Sequence, residues 1–419
     1  MSKSRTSLSE NFQLLFDLVR WMPVTALAGL LAGISSALLL ASLDWATNTR
    51  EAHHWLILLL GPIGLAVGLL YQHLGSTVES GNTLIFDEIH DPKATIPARM
   101  TPLILIATFL SHLFGGSVGR EGTAVQTGAS LADQLARTFH LAPLERRILL
   151  MAGISGGFAS VFGTPLAGAV FGIEVLAIGS ISYEAIAPCF LAAFVGDLTT
   201  RGLLSPLHIH HTHYPMPALP DINLPGVFYA AIAGAIFGLT GMAFARTTHA
   251  IAAFAKKHIP YGPLRPFFGG LLVTAGVFAL HTTKYIGLGI PTTVQAFQAK
   301  VPVYDFAGKF IFTTVTLGSG FKGGEVTPLF FIGATLGNAL SRILPLAPPL
   351  LAGMGFAAVF AGAANTPIAS TLMAVELFGG EIGAYAGIAC VVSYLCSGHA
   401  GIYHAQRIGQ KKHKSKEAG

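Results

Sequence analysis

Hydrophobic positions in this chain come in long unbroken blocks, without the strict alternation of a strand or the spaced stripe of a surface helix. Asp, Glu, Lys and Arg are absent from 21–43, 55–71, 101–119, 148–173, 185–196 and 222–245. They are absent again from 266–283, 310–321, 326–341, 343–375 and 382–406. A helix that crosses a bilayer core needs about 20 apolar residues. Several blocks are too short for that, and others are long enough for a helix, a turn and part of another helix. The pattern predicts an all-α integral membrane protein of tilted, broken and re-entrant helices.

Composition narrows the class. Of 419 residues, 52% are hydrophobic and 11% charged, against about 25% charged in soluble domains. Soluble enzymes, nucleic-acid binders and disordered scaffolds fit those numbers poorly. Glycine supplies 49 residues, well above the usual share of about 7% and suited to closely packed, often interrupted helices. The net charge of +5 does not indicate a nucleic-acid partner, because of where the charge sits. Arg407, Lys411, Lys412, Lys414 and Lys416 face a lone Glu417 in the tail, and Lys3, Arg5, Glu10, Asp17 and Arg20 open the chain. The positive-inside bias then predicts two cytoplasmic termini. The expected organisation is an N-terminal segment over 1–20, a membrane domain over 21–406 and a basic tail over 407–419, with no regulatory domain after the tail. Twenty mixed residues precede the first apolar block, so no secretory cleavage pattern is present. Cys189, Cys390 and Cys396 lie in apolar stretches and read as small hydrophobes, not as a disulfide framework.

Glycine clusters mark the interruptions, at Gly115-Gly116-Ser117-Val118-Gly119 and at Gly318-Ser319-Gly320-Phe321-Lys322-Gly323-Gly324. Two breaks in corresponding places point to a transport site between half-helices. Correspondence is visible in the sequence. Gly128-Ala129-Ser130-Leu131 matches Gly333-Ala334-Thr335-Leu336, and Arg137 matches Arg342, at an offset of 205. Thr164-Pro165-Leu166-Ala167 with Glu174 matches Thr366-Pro367-Ile368-Ala369 with Glu376, at an offset of 202. The chain reads as a duplication with halves over about 21–200 and 222–406. The spacing leaves open whether the halves are parallel or inverted.

Glu121 is the first candidate for chemistry. It follows the first glycine break and starts an apolar helix, where free N–H groups and the helix dipole suit an anion. A carboxylate at membrane depth is costly and marks a functional position by default. It can occupy an anion site itself and leave when protonated. An Arg120–Glu121 pair in an interfacial loop is the competing reading. In the second half, Pro328 signals a helix start after Gly324-Glu325-Val326-Thr327. Thr327 can cap that helix or aim its hydroxyl at an ion, and Glu325 can be a plain complement to the dipole. His208, His210, His211 and His213 lie between apolar regions without accompanying Cys or carboxylate, and are expected to form a solvated loop, not a metal site. An intramembrane enzyme would need a nucleophile with its base or paired metal ligands such as His-Glu-x-x-His, and no such motif appears.

These segments resemble the CLC family of anion channels and proton-coupled anion antiporters. The resemblance rests on Gly119-Arg120-Glu121-Gly122 as the gating-glutamate segment, Gly324 to Pro328 as an anion-site helix start, and Tyr403 in Gly401-Ile402-Tyr403. It covers nearly the whole chain. The departures point to the fluoride–proton antiporter branch. Ser80-Gly81-Asn82-Thr83-Leu84 stands where chloride-handling members have Gly-Ser-Gly-Ile-Pro, Thr123 replaces a proline, and Val326 beside Thr327 replaces a phenylalanine. Asp87-Glu88-Ile89-His90 points the same way. The resemblance implies inverted halves, a homodimer with one pathway per subunit, no cofactor, and export of fluoride across a bacterial inner (plasma) membrane in exchange for protons. It assigns gating and proton coupling to Glu121, and anion binding to Asn82, Val326, Thr327 and Tyr403. Glu325 becomes a proton-route or site-shaping residue. At the inner position where many antiporters of the family place a second glutamate stands Val175, one residue beyond Glu174, so the inner proton route is not inherited. Glu174 has Glu376 as repeat partner, which favours a structural role. A passive channel or a chloride exchanger of the same fold is the nearer alternative. The substitutions suit fluoride, a small and strongly hydrated ion. Asn82 brings two N–H donors, and Thr327 and Tyr403 one O–H each, where a carboxylate would bring none.

Overall fold

The computed structural model describes residues 3–217, 219 and 221–412, with side chains from Trp21 onward. Lys414, Lys416 and Glu417 of the expected basic tail, and the side chains of Lys3, Arg5, Glu10, Asp17 and Arg20, lie outside the described residues. The first half of the chain forms α1 (Lys3–Ala52), α2 (Leu60–Leu74), α3 (Asn82–His90), α4 (Met100–Leu113), α5 (Glu121–Thr138), α6 (Pro143–Phe162), α7 (Pro165–Glu174) and α8 (Ile186–Leu204). The second forms α9 (Leu224–His258), α10 (Leu264–Leu280), α11 (Ile290–Gln298), α12 (Asp305–Gly318), α13 (Val326–Leu340), α14 (Pro348–Ala364), α15 (Pro367–Phe378) and α16 (Gly383–Cys396). The 20/21 boundary falls inside α1. A two-residue parallel pair, β1 (Ala177–Ile178) with β2 (Arg407–Ile408), is the only sheet among the described residues.

The duplication is carried by whole elements. The starts of α4 and α12, α5 and α13, and α6 and α14 are each 205 residues apart, and those of α7 and α15 are 202 apart. Counterparts also pack on each other, α2 on α10 and α7 on α15. Gly119 N donates to Gly324 O at 2.5 Å and Gly324 N to Gly119 O at 2.7 Å. Equivalent elements and residues that meet reciprocally define a two-fold relation between the halves. Trp21–Ala52, His54–Leu74, Tyr183–Leu207 and Leu224–His258 are long and apolar enough to cross a membrane. Seven further apolar helices among the described residues run to only 10–17 residues, short for a crossing and in line with the uneven blocks of the sequence. Absent from those blocks are α3 and α11, nine-residue helices with polar positions.

The 148–173 and 343–375 blocks each fold as two helices broken at the same repeat position. Gly163 (φ 73°) ends α6 and Asn365 (φ 60°) ends α14, both left-handed, and Pro165 and Pro367 then open the next helices. The free N–H groups of those openings are satisfied across the axis. Glu174 accepts from Ile368 N at 3.0 Å and Ala369 N at 2.8 Å, while Glu376 accepts from Leu166 N at 2.9 Å and Ala167 N at 2.8 Å. Each half therefore caps the other's helix with a carboxylate at the positive end of the dipole.

A second repeated device fixes the two short helices. Asp133 on α5 accepts from Ile96 N at 2.6 Å and from Arg146 Nε at 2.5 Å, and Arg146 Nη1 reaches Glu88 on α3 at 3.0 Å. Its counterpart on α13, Asn338, donates to Ala296 O and Ala299 O and accepts from Val301 N, holding the end of α11. The Asp87-Glu88-Ile89-His90 segment is thus an anchor for α3, completed by His90 Nε2 against Leu176 O at 3.0 Å. Between α5 and α6 the backbones touch, since a Cβ on Gly128 would lie 2.2 Å from Gly153 O.

The reciprocal caps generate a test. Glu174→Ala removes two charge-assisted bonds and is expected to cost ~1–3 kcal/mol of stability. Glu174→Gln keeps one acceptor oxygen and is expected to lose less. Thermal unfolding in detergent reads the difference, and equal melting of both variants with the parent would rule out a capping contribution.

Candidate functional site

Glu121 is the first residue of α5 and is fully buried. Its carboxylate crosses to the start of α13, where Oε2 accepts from Thr327 N at 3.1 Å and Oε1 accepts from the Thr327 hydroxyl. Oε2 also accepts from Arg120 N at 3.1 Å, and the Arg120 guanidinium lies 3.6 Å from Oε1. The Arg120–Glu121 pair is present, yet burial and the two Thr327 bonds place it at the meeting of two helices and not in an interfacial loop. The carboxylate sits where an anion would sit, on N–H and O–H donors at a positive helix end. Thr327 directs its hydroxyl to Glu121 and does not cap α13, whose N-terminal position has no side-chain cap bond.

Repeat register clarifies the flanking positions. At the offset of 205, Val326 is the counterpart of Glu121 and Glu325 the counterpart of Arg120. Val326 is buried in the main apolar core. Thr123, the counterpart of Pro328, uses its hydroxyl to meet Thr108 Oγ1 at 2.7 Å, tying α5 to α4. Glu325 makes no cap bond to α13. Its Oε2 and Asn82 Nδ2 both lie near the Gly122 backbone, 3.6 and 3.7 Å from where a Gly122 Cβ would stand. Asn82 begins α3, and its Oδ1 is buried without a hydrogen-bond partner among the described residues. Tyr403 is buried beside the same helix, its ring centroid 5.4 Å from Phe86 and 6.4 Å from Phe171. The charged groups bearing on it are Glu325 and Glu121. The structure thus brings Glu121 and Thr327 into direct contact, sets Asn82 and Glu325 about Gly122, and places Tyr403 next along α3.

A cavity of about 10 Å³, roughly the room one water needs, adjoins Glu121 and Thr327 and is lined also by Arg120, Thr212, Tyr214 and Ile290. Arg120, Thr212 and Ile290 also line a vestibule of about 590 Å³. Arg50, Lys284, His210 and His211 face that vestibule too, as do Asp44 and Glu51. The histidine loop is therefore only partly the solvated loop expected. His208, His210 and His213 are exposed, whereas His211 turns inward, its Nδ1 3.2 Å from Val161 O and its ring fitted over Gly163. Burial, then Arg120 and Arg201, push His211 down to about 4, so it is neutral at neutral pH although Asp197 lies 3.7 Å away. Tyr214 is buried among Phe297, Phe356 and Phe378. No three metal-ligating residues converge among the described residues.

Sequence reasoning passed over two cations. Lys309 is fully buried, donating to Tyr285 O at 3.1 Å and Gly287 O at 2.6 Å. Arg50, 8% exposed, donates to His112 O at 2.7 Å. Lys309 borders the 310–321 apolar block, and a charge in that setting is the signal that could have found it, whereas Arg50 sits beside Glu51 in a mixed stretch that gives no such signal.

The family model for the voltage gated chloride channel matches residues 63–398. A "chloride/fluoride channel protein" of Pseudomonas syringae pv. tomato is 56% identical over 419 residues, covering 99% of this chain and 91% of that one. Among solved structures, a CLC-type fluoride/proton antiporter superposes with a TM-score of 0.89 at 34% identity, covering 94% of this chain and 99% of the other. A slow cyanobacterial Cl-/H+ antiporter shares the fold, with a TM-score of 0.78 at 20% identity over 90% and 94% of the two chains.

Gly122 packs closely on the facing helix start. A Cβ there would stand 3.1 Å from Gly324 Cα and within 4 Å of both Glu325 Oε2 and Asn82 Nδ2. Gly122→Ala is expected to lower anion turnover at least ~10-fold, as small misplacements in a tight site do, with little change in melting temperature. Unchanged turnover in reconstituted vesicles would put this gap off the anion route.

Proposed function

The chain belongs to the voltage-gated chloride channel (CLC) family of membrane anion channels and antiporters, and we propose that it exchanges fluoride for protons, exporting fluoride from the cytoplasm. The observation that supports this most is the Glu121 carboxylate lying on the Thr327 N–H and hydroxyl at the facing helix starts. When ionised, the carboxylate fills the anion position. A proton arriving through the vestibule neutralises it, weakens its hold on those donors and lets it swing away on the freedom of Gly122. Fluoride then takes the same donors, and return of the carboxylate expels it outward as the proton leaves inward. One site used in turn by a carboxylate and an anion couples the two flows.

Anion contacts fall to Asn82, Thr327 and Tyr403, with Val326 supplying an apolar wall and a backbone N–H at the helix start. Fluoride must exchange its hydration shell for close donors, and helix-start N–H groups provide them without a fixed cation that would trap the ion. Glu325 is assigned to the proton route because its carboxylate faces Gly122 and makes no cap bond. Val175, at the usual inner glutamate position, cannot hold a proton. The 56%-identical relative's name and the fluoride/proton antiporter superposition support fluoride as the cargo. A homodimer, a bacterial inner membrane and cytoplasmic termini complete the proposal.

Two measurements test it in reconstituted vesicles with fluoride and pH electrodes. Glu121→Gln is expected to abolish proton uptake driven by a fluoride gradient, and Glu325→Gln to depress coupling while fluoride still binds. Uphill proton movement in Glu121→Gln would remove that residue from its role, and a parent protein moving fluoride without protons would make it a channel. Asn82→Ser removes two amide donors, worth ~1–3 kcal/mol in a dry site, and is expected to reduce preference for fluoride over chloride. An unaltered flux ratio would place selectivity elsewhere.

A further inference from the structure

The segment after Tyr403 is tied to both halves of the protein. Ile402 N donates to Ala363 O at 2.9 Å, so the backbone next to Tyr403 rests on the end of α14. Three residues on, Gln406 Nε2 donates to Val175 O and to Ala364 O, both at 2.7 Å, and its Oε1 accepts from Asn365 Nδ2 at 3.0 Å. Val175 follows α7 of the first half, and Ala364 and Asn365 end α14 of the second, so one amide clamps the two together. The strap continues as β2 along β1, with Gly409 N and Gln410 N both donating to Ile178 O at 3.0 Å. It closes at Lys412, whose Nζ donates to Asn365 Oδ1 and Tyr394 O, both at 2.6 Å, and to Ser397 Oγ at 3.0 Å, over the Tyr394 ring. Three acceptors match the three donors of an ammonium group.

We propose that this strap, through Gln406 and its latch Lys412, is the positioning device that holds Tyr403 across the anion path. The inference rests on Tyr403 being an anion-path residue. Tyr403 makes ring contacts with Phe86 and Phe171, and apolar ring contacts leave sliding and tilting open, whereas the hydrogen bonds at Ile402 and Gln406 fix the backbone on either side. Gln406 also seals the Val175 carbonyl, the place where related antiporters put an inner carboxylate. The residue that replaces a proton-passing group is therefore used as an anchor for the anion gate.

The full-length protein in vesicles gives the test. Gln406→Leu keeps volume and loses every bond of the clamp, and Lys412→Met keeps the stem over Tyr394 and loses the donors. Each is expected to admit chloride about tenfold faster, the scale set by losing a buried hydrogen bond, and to lower the proton-to-fluoride ratio while fluoride still moves. Lys412→Arg, which retains donors, is expected to restore the ratio. Tyr403→Ala run alongside is expected to leak as well. If it leaks while Gln406→Leu and Lys412→Met exclude chloride at the parent ratio, the strap is not a positioning device. A parallel fall of fluoride and proton flux at an unchanged ratio overturns it equally, as a general loss of structure. If Tyr403→Ala itself excludes chloride, the gate reading fails and the strap proposal with it. Should Gln406→Leu not fold, Lys412→Met, nearer the surface, decides alone.

Discussion

Gly119 and Gly324 exchange backbone hydrogen bonds across the two-fold axis, and that exchange forces the starts of α5 and α13 to face each other inside the protein. Each helix start carries the equivalent of about half a positive charge, along with N–H groups that have no partner in the helix. Two such ends held together away from water are unstable unless something negative lies between them. The fold therefore creates a demand for an anion before any side chain is specified. Glu121 meets the demand from within, by lending its carboxylate to Thr327. The glycines are required by space. A Cβ on Gly324 would stand 2.7 Å from Gly122 N, and one on Gly119 would stand 2.9 Å from Pro328 Cδ.

The symmetric backbone carries asymmetric chemistry. The same repeat positions hold Glu121 and Val326, Arg120 and Glu325, and Thr123 and Pro328. The matching short helices begin with Asn82 in one half and Ile290 in the other. Glu121 and Arg120 adjoin a small cavity, and Arg120 also lines the vestibule. Asn82 and Glu325 lie near Gly122, and Tyr403 is buried against α3. Where symmetry is structurally useful it is kept: Glu174 and Glu376 cap each other's helices, and Asp133 and Asn338 anchor α3 and α11 by analogous bonds.

Much of this was legible in the sequence because glycine and proline act locally. The breaks at Gly115–Gly119 and Gly318–Gly324, the split blocks, and the 205-residue offset needed no tertiary information. Other features depend on contacts the chain makes only when folded. The nine-residue helices α3 and α11 are too short and polar to stand out by periodicity, and they are held by Asp133 and Asn338 from elsewhere. Glu174 and Glu376 read as intramembrane carboxylates until their N–H partners, some 200 residues away, are placed beside them. The inward turn of His211 follows from Val161 and Gly163, which no local pattern links to the histidine loop. The β1–β2 strap has only two residues per strand, below the length at which alternation can signal anything.

The proposed fluoride exchange needs a site that can release so strongly hydrated an anion. A fixed cation at the meeting point would bind fluoride and hold it, since a desolvated ion pair has no competing water. Here the nearest guanidinium, Arg120, is already engaged with Glu121 at 3.6 Å, and Lys309 and Arg50 are turned onto backbone carbonyls. What the facing helix starts offer an anion in the proposed exchange is mainly neutral donors, with the Arg120 guanidinium as the cation beside Glu121. In that exchange Glu121 competes for the same donors, so the affinity that draws fluoride in also draws the carboxylate back. Turnover in the proposed exchange is set by the balance between the Thr327 donors and the proton on Glu121.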